Sequence, residues 1–191
     1  MMDFVEVLNG LLLLKNADIY VTGSNSRFLS SDIATEFRGR GDVVRVHPLR
    51  FAEFLTAYED REAAWDDYYT YGGMPNVLSY VSGVAKEDYL RGLFSTAYMK
   101  DIAERNRLRN EAGMDELLNV IASGVGSLTN PKKLENTFRT KSQVNLSRST
   151  IDQYIGHLED AFIVSRAHRY DVKGKRYIDS PYKIYFEDVG F

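Results

Sequence analysis

Apolar positions recur at helical spacing along most of this chain. Val5, Leu8, Leu11 and Leu12 share one face of the segment Phe4 to Lys15, which predicts a helix. The period then changes. Asp18 to Thr22 reads Asp-Ile-Tyr-Val-Thr between Asn16 and Gly23, a β-branched and aromatic run that predicts a short buried strand. Gly23-Ser24-Asn25-Ser26 is a polar loop, and a short helix is expected from Ser31 to Phe37, with Ser30 or Ser31 as its N-cap. Asp42 to Val46 predicts a second strand, closed by Pro48. Strand, loop, helix, strand is part of an α/β layer. Two strands do not make a stable sheet alone, so further strands are expected upstream.

From Phe51 onward the pattern is helical: Arg50 to Tyr58, then Arg61 to Tyr71, then a break at Gly72-Gly73-Met74-Pro75. A long helix is expected from Lys86 to Arg105, with Tyr89, Leu93, Ala97 and Ile102 near one face. Arg105 to Glu111 is a polar hinge, and a domain boundary is expected near Gly113. Met114 to Ser123 predicts a helix with Leu117, Leu118 and Ile121 inward. Pro131 starts a second, being favoured at the first helical position. Ser147 or Ser149 caps a third, whose apolar stripe is Ile151, Tyr154, Ile155 and Leu158. Ala161 to Tyr170 and Lys175 to Phe186 then predict two strands joined at Asp171-Val172-Lys173-Gly174. Three helices and a hairpin are the winged-helix order. Its expected core is Leu117, Ile121, Leu134, Phe138, Ile151, Ile155, Leu158 and Phe162.

Composition narrows the classes. At 191 residues, with 44% hydrophobic and 13% aromatic residues, the chain is long and apolar enough for a core, which excludes wholesale disorder. It has no cysteine, so disulfide scaffolds, thiolate zinc sites and cysteine nucleophiles are excluded. His47, His157 and His168 are too scattered to suggest a histidine metal cluster, and no metal site is expected. Apolar runs such as Leu11 to Leu14 fall far short of the ~20 residues of a membrane span. Asp3 and Glu6 stand where a signal peptide would be basic, so a cytoplasmic protein is expected. The net charge of −3 hides an asymmetry: Leu128 to Ile178 holds ten basic and five acidic residues, +5, against −8 elsewhere. That points to a C-terminal part that meets an anion, or to a basic solvated face.

No Gly-x-x-x-x-Gly-Lys-Ser/Thr loop occurs, and no hydrophobic strand ends in the paired acids that hold magnesium. Gly-x-Ser-x-Gly, His-Glu-x-x-His and EF-hand patterns are absent as well.

A resemblance emerges at Tyr20-Val21-Thr22-Gly23-Ser24-Asn25-Ser26, followed by Arg38-Gly39-Arg40 and by His47-Pro48-Leu49-Arg50-Phe51-Ala52-Glu53-Phe54. It continues through Tyr71-Gly72-Gly73-Met74-Pro75, Asp101-Ile102, Glu104-Arg105, Thr150 to Tyr154 and Leu158-Glu159, and ends at Lys183 to Gly190. In this order the segments resemble the bacterial and archaeal predicted ATPases of the AAA+ superfamily that carry a C-terminal domain of unknown function. The resemblance covers nearly the whole chain. It implies that the strand ending at Thr22 is the sensor-1 strand, with Ser24 or Asn25 facing the γ-phosphate; a plain turn after a strand is the other reading. It also implies an arginine finger at Arg40 or Arg38, where a permanently charged fork grips the nucleotide of a neighbouring subunit. Two solvated arginines at a helix end are the alternative.

The helical lid that the resemblance implies places Gly72, Gly73 and Pro75 near nucleotide, with Arg91 as a sensor-2 candidate; glycines also merely end helices. Helix-turn-helix docking would put Arg148 and Ser149 of the recognition helix on base edges, and Lys173, Lys175 and Arg176 of the wing on phosphates. Winged helices also serve as packing modules. Relatives carry a P-loop and a Walker-B acid before the stretch matching Met1 to Lys15, and a nuclease-like domain after Asp188 to Gly190. The resemblance therefore implies an internal fragment or a truncated reading frame.

The expected fold is mainly α with an α/β remnant. Residues 1–58 are the end of the AAA+ core, 59–112 the lid, and 113–191 the winged helix with the start of a truncated domain. ATP and magnesium belong to the intact family protein, and none is expected on this chain alone. DNA and further copies of the chain are the partners this reading points to, with no membrane. The alternative is a DNA-binding or protein-interaction adaptor without enzymatic activity.

Overall fold

The computed structural model describes residues 4–23, 42, 44–108, 110–141, 145–170 and 180–191. It divides into two compact units, Met1–Val46 and His47–Phe191.

In the first unit, α1 spans Phe4–Leu11. The expected helix reached Lys15. Instead the chain leaves the α pattern after Leu11: Leu13 N–H bonds the Gly10 carbonyl at 3.3 Å and Leu14 N–H the Leu11 carbonyl at 3.0 Å, the tighter i→i+3 turn of a fraying end. The strand expected at Asp18 to Thr22 is also corrected. Among the described residues that segment joins no sheet, and Tyr20 is 88% exposed. The described part of Asp42 to Val46 likewise forms no strand, with Val44 and Val46 exposed. Among the described residues neither segment finds the neighbouring ladder that turns β-propensity into a strand. The helix expected at Ser31 to Phe37 lies outside the described residues.

The second unit opens with α2, Phe51–Phe54, and a 3₁₀ turn, Leu55–Ala57. Arg50 and Glu53 close a reciprocal box at its start, Arg50 N–H donating to Glu53 Oε2 at 2.9 Å. α3 spans Arg61–Tyr71, capped by Asp60, whose Oδ1 accepts from Glu62 N–H at 3.0 Å. After a 3₁₀ segment, Pro75–Ser79, Ser82 caps α4, Gly83–Gly92. The helix does not stop there. It widens into a π segment, Leu93–Met99, and returns to α geometry as α5, Lys100–Asn106. The one long helix expected from Lys86 to Arg105 is thus present with a wide turn inside it. It ends with Arg107 in the left-handed region, φ 49°.

Three helices follow: α6, Glu111–Ser123, α7, Pro131–Lys141, and α8, Arg148–Asp160. Asn110 and Ser147 cap α6 and α8 through the Gly113 and Thr150 amides. Strands β1, Val164–His168, and β2, Tyr182–Phe186, pair antiparallel with Val164 opposite Phe186 and His168 opposite Tyr182. Both are shorter than expected, and the turn between them lies outside the described residues. On the other edge of β2, Thr129 exchanges both backbone hydrogen bonds with Tyr182, at 2.8 and 2.9 Å.

α8 is the centre of the core. Ile151, Ile155 and Leu158 are fully buried, packed with Met114, Leu117, Ile121, Leu134, Phe138, Ile163 and Ile184. Each such side chain contributes about 1.5–3 kcal/mol by leaving water. Phe162 departs from the expected core list. It is half-buried with φ 56°, because it closes α8: its N–H bonds the Glu159 carbonyl and Ile163 N–H bonds the Leu158 carbonyl, both at 3.0 Å. Ile102 of α5 belongs to the same core, and Phe94, Tyr98 and Met99 of the π segment pack against it.

Candidate functional site

The break after α3 is the most constrained backbone in the second unit. Gly72 has φ 77°, a conformation that glycine adopts without strain. A Cβ on Gly72 would lie 1.7 Å from Asp188 Oδ1, and one on Gly73 would lie 2.1 Å from the Leu49 carbonyl oxygen. Both positions are filled by the chain's own atoms. Leu49 N–H donates to the Gly73 carbonyl at 2.8 Å. The Asp188 side chain, 6% exposed, accepts from Gly73 N–H through Oδ2 and from Gly190 N–H through Oδ1, each at 2.7 Å. Gly190 is held as tightly, since its Cβ would meet the Tyr71 carbonyl oxygen at 2.3 Å.

Leu49, Gly72-Gly73 and Asp188-Val189-Gly190 therefore meet at one point, Leu49 held by the Gly73 carbonyl and the two glycine amides by one carboxylate. Burial pushes the Asp188 carboxyl above the ordinary carboxylate range, although its two amide donors favour the charged form. Three residues on, Phe191 meets the π segment, 5.0 Å from Tyr98 and 5.8 Å from Phe94 between ring centroids. Sequence reasoning gave Asp188 no role. The available signal was an acid followed by Val-Gly inside the Lys183 to Gly190 stretch.

Pro75 starts the 3₁₀ segment after the glycine loop, and Arg91 lies exposed in the last turn of α4. Behind the loop, buried Lys86 of α4 donates to Asp67 of α3 at 2.5 Å and stands 5.2 Å from the Tyr71 ring centre. Tyr58 donates to the same carboxylate. Burial disfavours both charges, but their contact prevails: the Lys86 ammonium is held above its ordinary range and the Asp67 carboxyl below its own.

A second feature lies at the start of α8. Arg148 and Ser149 are exposed and line an open groove of about 600 Å³ with Asn130, Glu135, Ser147, Asp152, Arg166, His168 and Tyr182. Its charge is partly answered from within. Glu135 Oε1 accepts from Arg148 N–H at 3.1 Å. Arg166 is gripped by Glu159 and by Asp152, Nη1 to Oδ1 at 2.9 Å, and lies over the Tyr182 ring. Despite partial burial, the Glu159 contact raises the Arg166 pKa further, so its charge is permanent but committed. Ser149 shares its hydroxyl with Ser147 at 3.0 Å. Lys173, Lys175 and Arg176 lie outside the described residues, as do Ser24, Asn25, Arg38 and Arg40. Among the described residues, no three histidine, aspartate or glutamate side chains group to hold a metal, and no helix is long and apolar enough to cross a membrane.

Comparison with known proteins matches two family models to successive parts of the chain. Residues 1–55 match a family model described as an AAA domain, and residues 62–191 match a domain of unknown function, DUF8612. An uncharacterized protein of Haemophilus influenzae is 35% identical over 98% of this chain. An uncharacterized protein of Methanocaldococcus jannaschii is 26% identical over 83% of it. The chain spans 49% and 38% of the lengths of these two relatives. No solved structure matches. Since the second family model covers well over half of the sequence and includes the glycine loop, the groove and Asp188, the chain belongs to the DUF8612 domain family.

Proposed function

We propose that the chain supplies the sensor, lid and winged-helix parts of an AAA-type ATPase, and that alone it neither holds Mg·ATP nor hydrolyses it. The observation that carries this reading is the junction at Asp188. Leu49 lies in the stretch that matches the AAA domain, and its amide is bonded to Gly73 of the following domain, whose own amide is held by Asp188. In this reading those bonds tie the end of the AAA-matching stretch to the domain that follows it. In this reading Ser24 and Asn25 are the sensor residues and Arg40 or Arg38 the finger. Gly72, Gly73, Pro75 and Arg91 belong to the lid. The donor set agrees with inactivity in isolation, because the sequence has neither the amide-rich loop nor the acid that position phosphates and magnesium. Rigorously purified chain is expected to turn over ATP at background; turnover abolished by Asn25→Ala would overturn the proposal.

A second reading, a DNA-binding adaptor, is favoured by the three helices, the β-hairpin and exposed Arg148 and Ser149 at the head of α8. Lys173, Lys175 and Arg176 would add phosphate contacts. Glu135 and Asp152 in the same groove oppose it. Duplex affinity measured against salt decides: phosphate contacts give a negative log–log slope of about 0.9 per contact, and a flat slope removes DNA.

A further inference from the structure

One aromatic face of α3 is not spent on the core. Trp65 and Tyr69 are 51% and 72% exposed and stack along the helix, ring centroids 6.5 Å apart and planes 27° from parallel. Phe51 meets the indole edge-on at 5.0 Å, which fixes its orientation. Beside it opens a cleft of about 530 Å³ lined by Phe51, Arg61, Glu62, Trp65 and Asp66.

The surrounding charge is mostly negative, with Arg61 the exception. Glu59 to Asp67 contains five acids and one arginine. Asp67 is committed to Lys86, and Asp60 to the first turn of α3. Glu62 and Asp66 are exposed and line the cleft with Trp65, and Glu59 is exposed just before the helix. Among the described residues, the cations placed over rings are Lys86 on Tyr71 and Arg166 on Tyr182, and neither ring belongs to this face.

We propose that this face docks a cationic, arginine-bearing segment of a protein partner. The faces of indole and phenol attract cations, and the flanking carboxylates attract the same charge. A guanidinium answers both at once, since it stacks flat on a ring while its edge donates to carboxylates. A nucleic-acid backbone would be repelled by the acids. An apolar partner would strip them of water and return no hydrogen bonds.

Trp65 is the only tryptophan, so its fluorescence reports this face and no other. The full chain is titrated with a short peptide of alternating Arg and Gly, and separately with Glu-Gly and Pro-Gly peptides. A saturable change is expected with the arginine peptide alone. It should weaken about fivefold in the double variant Glu62→Gln, Asp66→Asn, and similarly in Tyr69→Ala. These side chains are exposed, and an unchanged far-ultraviolet circular dichroism spectrum will show that the fold is kept. No response to the arginine peptide, an equal response to either control, or undiminished affinity in the double variant would each overturn the proposal. So would a fluorescence change that depends on protein concentration alone, which would place a second copy on this face.

Discussion

At the scale of single residues, the tightest constraint is steric and sits at Gly72. An alanine there would combine a φ of 77° with a Cβ 1.7 Å from Asp188 Oδ1, and the struck carboxylate is itself buried. Gly72→Ala is expected to cost about 2–4 kcal/mol in urea unfolding, well above an ordinary surface substitution. Asp188 gives a pH-dependent prediction. Burial raises its folded pKa, so over the window just above the ordinary carboxyl range the folded chain holds a proton that the unfolded chain has released. The stability from this group is complete below that range and is lost as pH rises through the folded pKa. Asn cannot reproduce the two acceptors, and Asp188→Asn should cost about 1–3 kcal/mol at acid pH. The difference between wild type and variant should narrow as pH rises, as unfolding free energies across the window will show; a constant difference would contradict the assignment.

Among the elements, helix ends show how local rules and long-range packing share the work. The caps at Ser147, Asn110 and Asp60 obey short-range chemistry, and each bonds an amide two or three residues on. The end of α5 violates the same rules. Leu108 N–H bonds the Ala103 carbonyl at 3.0 Å, closing the motif whose left-handed position is usually glycine, yet Arg107 occupies it with its side chain exposed. Arg107→Gly should therefore stabilise the chain by about 0.5–1 kcal/mol, visible as a rise of a few degrees in Tm. A fall in Tm would mean that the Arg107 side chain makes a contact worth more than the strain. The π segment was not legible in advance. Its residues have ordinary helical propensity, and the wide turn accompanies the packing of Phe94 and Tyr98 on Phe191, far along the chain.

For the whole molecule, protection against hydrogen exchange should be uneven. Ile151, Ile155 and Leu158 are wholly buried among three helices and a hairpin. In the first unit, Leu13 is 82% exposed and Tyr20 88%. Amides from Ile151 to Leu158 should exchange at least tenfold more slowly than those of residues 4–23, since opening free energy follows buried contact. Equal protection would mean that the exposed leucines are covered, which light scattering against concentration would reveal as self-association.

What the sequence determined by itself is what neighbours a few residues apart can settle. The spacing of Leu117, Ile121, Ile151, Ile155 and Leu158, the proline opening α7 and the serine capping α8 suffice for three helices, because intrahelical bonds and caps close within one turn. The glycine loop was also legible as a special backbone. Its partner was not, because Asp188 reaches Gly73 across 115 positions and no local pattern encodes that meeting. Sheet formation lay equally beyond the local pattern. Asp18 to Thr22 and Tyr182 to Phe186 carry similar β-propensity, but only the second is a strand, since β1 and Thr129 bond its two edges. A strand exists through its partner, and tertiary structure alone supplied one.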